Sequence, residues 1–114
     1  MTRIILQTED YFSSFSQKLK LWNFENQINM KKIITTENAP APIGPYNQAV
    51  LSGDMLYTSG QIALHPKTGE LITENITVET KQVMENLKAV LAAAEMTFEN
   101  VIKTSIFIAD MNDF

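Results

Sequence analysis

The chain has 114 residues, of which 45% are hydrophobic, a composition that fits one globular domain rather than a disordered segment. It has no cysteine and one histidine, His65, which excludes a disulfide framework, a cysteine nucleophile and a His/Cys cluster for zinc. Nine basic residues against 13 acidic ones give a net charge of -4, which argues against nucleic acid as a partner.

The first 29 residues differ in composition from the rest of the chain. They contain neither Gly nor Pro, and their aromatic side chains follow no clean period. A short amphipathic helix is compatible with the spacing of four apolar residues, Phe12, Phe15, Leu19 and Trp22. Met30-Lys31-Lys32-Ile33-Ile34 then resembles a fresh N-terminus that enters a strand. We therefore expect residues 1–29 to be a leader or an upstream-start extension, and residues 30–114 to form the domain.

Membrane and secretory signals are weak in this sequence. No apolar run approaches the roughly 20 residues that a membrane span needs. The run Ile4-Ile5-Leu6 is too short for the core of a signal peptide, and the acids Glu9 and Asp10 are untypical of a transit peptide. We therefore expect a cytoplasmic protein with no membrane partner.

The segment from Ala39 to Val50 is rich in residues that restrict the backbone. Its three prolines fix φ and remove amide donors, and Gly44 can take a positive φ. Tyr46 then brings a hydroxyl group to the start of an apolar run. Two interpretations stay open from these residues: a loop that presents a binding group, or a rigid entry to a strand.

A β-hairpin is predicted next, because the apolar runs 48–52 and 55–62 flank the dipeptide Gly53-Asp54. Within the second run, Gly60 would mark either a bulge or a place where something approaches the backbone closely. The sequence His65-Pro66-Lys67-Thr68-Gly69 predicts a turn, in which the histidine is a solvated residue rather than a catalytic base.

From about Ile76 to Glu95 the apolar period changes to near 3.6, which predicts an amphipathic helix with Thr77 as its N-cap. Its apolar stripe is expected to pack in the core and consists of Val83, Leu87, Val90, Leu91 and Ala94. A further strand is predicted over residues 101–109, where alternate residues are apolar. Asp110 could begin another helix, which the remaining residues are too few to complete.

Several ordered motifs resemble the RidA family of reactive enamine and imine deaminases. The resemblance extends from Met30 to Phe114 and is carried by Ile43-Gly44-Pro45-Tyr46-Asn47-Gln48-Ala49-Val50, Tyr57-Thr58-Ser59-Gly60-Gln61-Ile62, Lys67-Thr68-Gly69-Glu70, Glu85-Asn86-Leu87-Lys88-Ala89-Val90-Leu91 and residues 101–114. It implies an α+β fold like that of chorismate mutase from bacilli, with a mixed sheet, helices on one face, and a homotrimer with ligand sites between subunits. Compared with that fold, we expect the C-terminal strands to be missing, so that residues 30–114 form an incomplete, truncated domain.

The resemblance also implies an activity, the hydrolysis of 2-iminobutanoate or 2-iminopropanoate to the 2-keto acid and ammonia, with no cofactor and no metal. Tyr46 matches the tyrosine of a Gly-Pro-Tyr motif that lines the family's cleft. Ser59, Gly60 and Gln61 match a Ser-Gly-Gln segment beside the ligand, so these four residues are the expected substrate-binding set. Catalytic residues are not assigned, because the family's Pro-Ala-Arg clamp and C-terminal glutamate are absent and the only arginine is Arg3.

Two functions of different classes follow from these residues. The chain is part of an imine deaminase whose activity is impaired without the clamp, or it is a non-catalytic member that binds a ligand or a protein. A third function, single-stranded ribonuclease or translation inhibitor, ranks last because the chain is acidic and has no cluster of catalytic His or Lys.

One departure from the family concerns the end of the helix. Glu95 stands where family members often have the glycine that ends the helix. A positive φ at a glutamate would cost roughly 1 kcal/mol, so we expect either that cost or a different cap.

Overall fold

The computed structural model describes residues 31–114. These residues form three strands, one long helix and two single-turn 3₁₀ helices. The strands are β1 (Lys32–Ile34), β2 (Ala49–Ser52) and β3 (Met55–Thr58), and the helix is α1 (Ile76–Ala93). The 3₁₀ helices are Phe98–Asn100 and Met111–Asp113. The expected division of the chain near Met30 and the helix predicted before it lie outside the described residues.

The sheet is antiparallel throughout, in the order β1-β2-β3. The predicted hairpin is confirmed: Ser52 pairs with Met55 across Gly53 and Asp54, and Gly53 has a φ of 61°. That positive φ at the first turn residue gives the backbone the twist that a two-residue hairpin requires. The second strand of the hairpin, β3, ends at Thr58 rather than at the predicted residue 62, so Gly60 lies beyond the paired residues of the sheet.

The two faces of the sheet differ in their environment. Ile34, Ala49 and Thr58 are paired neighbours on one face and are all buried. On the opposite face, Ile33 and Tyr57 are 50% and 41% exposed. Because side chains alternate along a strand, this register turns one face toward the core and leaves the other uncovered by the described residues.

Helix α1 supplies the other half of the core. Its buried apolar residues recur at helical spacing and are Val83, Leu87, Val90 and Leu91. They form one cluster with Ile34, Ala49 and Leu56 of the sheet and with Ala39 and Ala63 of the loops. The predicted apolar stripe is therefore confirmed at these four positions, while Ala94 is only half-buried. An amphipathic helix on one face of an antiparallel sheet is an α+β arrangement.

Both ends of α1 are fixed by specific caps. The predicted N-cap, Thr77, is wrong: Asn75 takes the extended backbone of an N-cap, and its side chain accepts from the Val78 amide at 3.0 Å. An N-cap side chain accepts from the second or third amide of the helix, and Val78 is the third residue of α1, whereas Thr77 lies inside the helix.

At the C-terminal end of α1, Glu95 does adopt a positive φ, of 61°. Its amide donates to the carbonyl of Ala92 and the next amide, of Met96, donates to that of Leu91. These two bonds are those of a Schellman motif, which satisfies the last helical carbonyls at the cost of a left-handed residue.

The strand predicted over residues 101–109 is wrong. This segment forms no ladder with β1 or β3, and Ile102 and Phe107 are each 57% exposed. Alternation of apolar residues favours a strand, but a strand also requires a neighbouring backbone to accept and donate its hydrogen bonds. Asp110 does begin a helical turn, since its carboxylate accepts from the Asn112 amide at 2.9 Å. Over residues 31–114, no helix combines the length and the hydrophobicity needed to cross a bilayer.

Candidate functional site

A single carboxamide closes the loop that connects β1 to β2. The Gln48 side chain is 3% exposed, and its Oε1 accepts from the Thr36 amide at 2.6 Å. Its Nε2 lies within 3.2 Å of three carbonyl oxygens, those of Thr36, Ala39 and Pro40. Two N–H groups serve these three acceptors, so at least one bond is shared. The proline-rich segment, in which three residues lack an amide donor, is thereby tied to the residue that directly precedes β2.

The same loop presents Tyr46 at the surface. The Tyr46 amide donates to the Gly44 carbonyl at 2.8 Å, a three-residue turn centred on Pro45, whose fixed φ suits that geometry. The tyrosine side chain is 48% exposed, and its hydroxyl accepts a long contact of 3.5 Å from the Ile43 amide. The phenol therefore keeps its own O–H available to a ligand or to water.

The Ser59-Gly60-Gln61 segment leaves the sheet beside this loop. The Ser59 amide donates to the Gln48 carbonyl at 2.9 Å, and its hydroxyl donates to the Asn47 carbonyl at 2.5 Å. Ser59 thus fastens the end of β3 to the end of the loop. Gly60 is exposed, whereas the Gln61 side chain is only 6% exposed and donates from Nε2 to the Ser59 carbonyl at 3.2 Å.

Helix α1 holds the next residues in place through Asn86, which is fully buried. Its Nδ2 donates to the carbonyls of Ile62 and Leu64 at 3.1 and 2.8 Å. Its Oδ1 accepts from Gln82 at 2.9 Å. A helix-borne amide therefore binds two carbonyls of this segment: that of Leu64, and that of Ile62, which also accepts from the Leu64 amide at 2.8 Å.

The turn that follows is organised by His65. Its Nδ1 accepts from the amides of Lys67 and Thr68 at 3.3 and 3.2 Å, and the Gly69 amide donates to its carbonyl at 2.9 Å. The imidazole nitrogen thus takes the place that an aspartate or asparagine oxygen has in an Asx-turn. The predicted turn is confirmed, and its histidine has a structural role in it.

These elements enclose a small recess of about 50 Å³. Its lining residues come from the proline-rich loop, the end of the hairpin and the segment held by Asn86, and they are Pro40, Ala41, Ile43, Tyr46, Gln48, Gly60, Gln61, Ile62 and Leu64. None of these carries a charge. A recess of this kind can hold a small planar group by hydrogen bonds and apolar contact, but it is far below the roughly 300 Å³ of a complete ligand pocket.

The structure brings three of the four expected substrate-binding residues, Tyr46, Gly60 and Gln61, to this recess, while Ser59 does not line it and bonds to the Asn47 carbonyl. Sequence reasoning missed the supporting roles of Gln48 and Asn86. Their signal was present but ambiguous: Asn86 falls on the apolar side of the predicted helix beside Val83 and Val90, and Gln48 directly precedes an apolar run, so each was a candidate for a buried polar side chain that must find partners.

Two further features carry no chemistry. A wider, open depression over residues 70–74 is lined by one continuous stretch of chain, which includes Glu70 and Glu74. In the part of the chain that the structure describes, no three His, Cys, Asp or Glu side chains are grouped as a metal ion would require.

The fold and the recess define a small α+β protein with a neutral recess between a proline-rich loop and the end of a hairpin. The chain belongs to the family described as Endoribonuclease L-PSP, whose family model matches residues 36–114. RutC family protein PH0854 of Pyrococcus horikoshii is 52% identical over 85 residues, which are 75% of this chain and 68% of that protein. The 2-iminobutanoate/2-iminopropanoate deaminase of Salmonella typhimurium is 48% identical over 85 residues, 75% of this chain and 66% of that protein.

A solved structure of the Rid protein family, YyfA from Yersinia pestis, superposes with a TM-score of 0.72 at 45% identity, covering 74% of this chain and 67% of that one. The expected RidA family membership and the chorismate-mutase-like α+β fold are thereby confirmed. The chain spans 68% of the length of the Pyrococcus horikoshii relative and 63% of that of the 2-iminobutanoate/2-iminopropanoate deaminase of Mus musculus.

Proposed function

We propose that this chain takes part in the hydrolysis of 2-imino acids such as 2-iminobutanoate and 2-iminopropanoate. Water adds to the carbon of the C=N bond, and the resulting carbinolamine releases ammonia as the C=O bond of the 2-keto acid forms. The observation that carries the proposal is the recess in which Tyr46, Gly60 and Gln61 meet. The 48% identity to the Salmonella typhimurium deaminase supports it.

The recess suits one part of such a substrate better than the other. Its lining is neutral, and residues 30–114 contain no arginine, so the planar C=N end fits here while the carboxylate needs a cation from elsewhere. Hydrolysis of an imine needs a positioned water and proton transfers, for which no cofactor or metal is required. In this proposal, Tyr46 and Gln61 orient the substrate and the water.

The small volume of the recess favours a site that is completed by other subunits. We propose a homotrimer whose ligand sites lie between subunits, as the family resemblance implies. The uncovered face of the sheet, with Ile33 and Tyr57 about half exposed, supports association. A cytoplasmic location stays a prediction from the sequence.

A second candidate is a non-catalytic protein that binds the same small acids or another protein. The observation in its favour is the absence of arginine from residues 30–114, since bidentate binding of a carboxylate is the specific contribution of a guanidinium. A ribonuclease or translation inhibitor ranks below both, because a net charge of -4 and a neutral recess do not suit a polyanion.

The test uses threonine dehydratase to generate 2-iminobutanoate in the presence of the 114-residue chain. We expect the chain to accelerate the loss of the imine, which is monitored by trapping the remaining imine with semicarbazide. Tyr46→Phe should decrease the rate of imine loss by about 10-fold. The control is Glu85→Gln, on the exposed side of α1 and outside the lining of the recess. Binding of the product without any acceleration would favour the second candidate, and neither binding nor acceleration would overturn both.

A further inference from the structure

The side chain of Gln61 is nearly buried but only half satisfied. It is 6% exposed, and its only hydrogen bond within residues 31–114 is the one that Nε2 donates to the Ser59 carbonyl at 3.2 Å. No donor from these residues reaches its Oε1. A buried amide oxygen without a partner costs about 1–3 kcal/mol, and such oxygens are almost always paired with protein, water or ligand.

The surroundings of Gln61 fix the orientation of its carboxamide. If the carboxamide were flipped, Oε1 would face the Ser59 carbonyl oxygen, and two acceptors would repel each other. Ser59 itself cannot give way easily, because its amide and hydroxyl are bonded to Gln48 and Asn47. Oε1 is therefore the acceptor that has no partner within residues 31–114, while Nε2 keeps one N–H beyond its bond to Ser59.

The same residue lines the recess, whose wall carries no charged side chain. The recess therefore offers a ligand no carboxylate that would accept a hydrogen bond in place of Oε1, and no cationic side chain that would attract an anionic group. The group that Oε1 selects is consequently a neutral or cationic hydrogen-bond donor small enough for a recess of about 50 Å³.

We propose that Oε1 of Gln61 accepts a hydrogen bond from an N–H group of the ligand and thereby distinguishes imines and enamines from 2-keto acids. This inference rests on the proposed function and adds the atom that recognises the nitrogen. Hydrolysis replaces the N–H donor by a carbonyl oxygen, which has lone pairs only. The product then loses the hydrogen bond that the substrate makes and meets repulsion instead, which favours its release.

Oxamate and pyruvate provide the test, because they are planar, carry the same charge and are nearly isosteric, and only oxamate has N–H groups. We expect the 114-residue chain to bind oxamate about 10-fold more tightly than pyruvate, in NMR titrations that also follow the side-chain amide signal of Gln61. Gln61→Met, which removes the acceptor but keeps the length, should bring the ratio to about 1.

The possible outcomes separate the inference from the proposed function. Equal affinity of the wild-type chain for the two ligands overturns the role of Gln61 and leaves the site itself in place. A preference for oxamate that persists in Gln61→Met also overturns it. Failure of the wild-type chain to bind either ligand overturns the proposed function, on which the inference depends.

Discussion

Replacing Glu95 by glycine should stabilise the protein. Glu95 has a φ of 61° as the left-handed residue of the Schellman motif that ends α1. For a residue with a Cβ this conformation costs about 1–2 kcal/mol, which glycine avoids. Glycine in turn gives the unfolded chain more freedom, a loss of roughly 0.5–1 kcal/mol.

A second contribution comes from charge. The last turn of α1 contains no basic residue, so the Glu95 carboxylate lies unopposed at the negative end of the helix dipole. Removing such a charge is worth about 0.3–1 kcal/mol at low ionic strength. Together the effects leave a net gain of about 1 kcal/mol for Glu95→Gly, or about 4–8 °C in Tm for a domain of this size.

The assay is urea and thermal unfolding of the 114-residue chain, followed by circular dichroism of the helix. Glu95→Gln separates the two contributions, because it removes the charge and keeps the Cβ. Its gain should be a few tenths of a kcal/mol and should disappear in high salt, whereas the gain of Glu95→Gly should persist. Equal stabilities of the glycine and glutamine variants would show that the positive φ is not the source of the cost.

Three further substitutions test the contacts that shape the recess. Gln48→Glu sets carboxylate oxygens against three carbonyls and should cost at least about 3 kcal/mol in urea unfolding; an unchanged midpoint would contradict the proposed closure of the loop. Asn86→Asp loses both donors to the segment at residues 62–64 and should cost about 2–3 kcal/mol, while Glu85→Gln on the exposed side of the same helix should be nearly neutral. His65→Asn should preserve slow hydrogen exchange at the Thr68 amide, which His65→Ala should accelerate; equal exchange in the two variants would exclude Nδ1 as the acceptor.

Local patterns were sufficient for the elements that depend on neighbouring residues. The hairpin followed from Gly53-Asp54 between two apolar runs, and α1 from an apolar period of 3.6. The strand over residues 101–109 could not be judged in the same way, because alternation does not say whether a partner strand is present. The N-cap was misplaced by two residues because Asn75 and Thr77 are both good caps, and only the backbone conformation distinguishes them.

The candidate site was likewise predictable only in part. The motif around Tyr46 and the Ser59-Gly60-Gln61 segment could be selected from sequence, through a family resemblance rather than through periodicity. The contacts that hold them could not, because Gln48 acts on residues up to 12 positions away and Asn86 on residues up to 24 away. Such long-range hydrogen bonds depend on the finished packing of sheet, loop and helix, which a linear pattern does not encode.

The hydrogen bonds of the Gln48 carboxamide are expected to link the width of the recess to the pairing of β1 with β2. The loop that carries Tyr46 cannot widen to admit a larger ligand unless Gln48 releases the carbonyls that it binds. One of these is the carbonyl of Thr36, two residues after the end of β1. The recess is therefore expected to select ligands by size through rigidity rather than through adaptation. By the same linkage, a ligand that fits it stabilises the β1–β2 pair, and any loosening of that pair weakens the ligand's affinity.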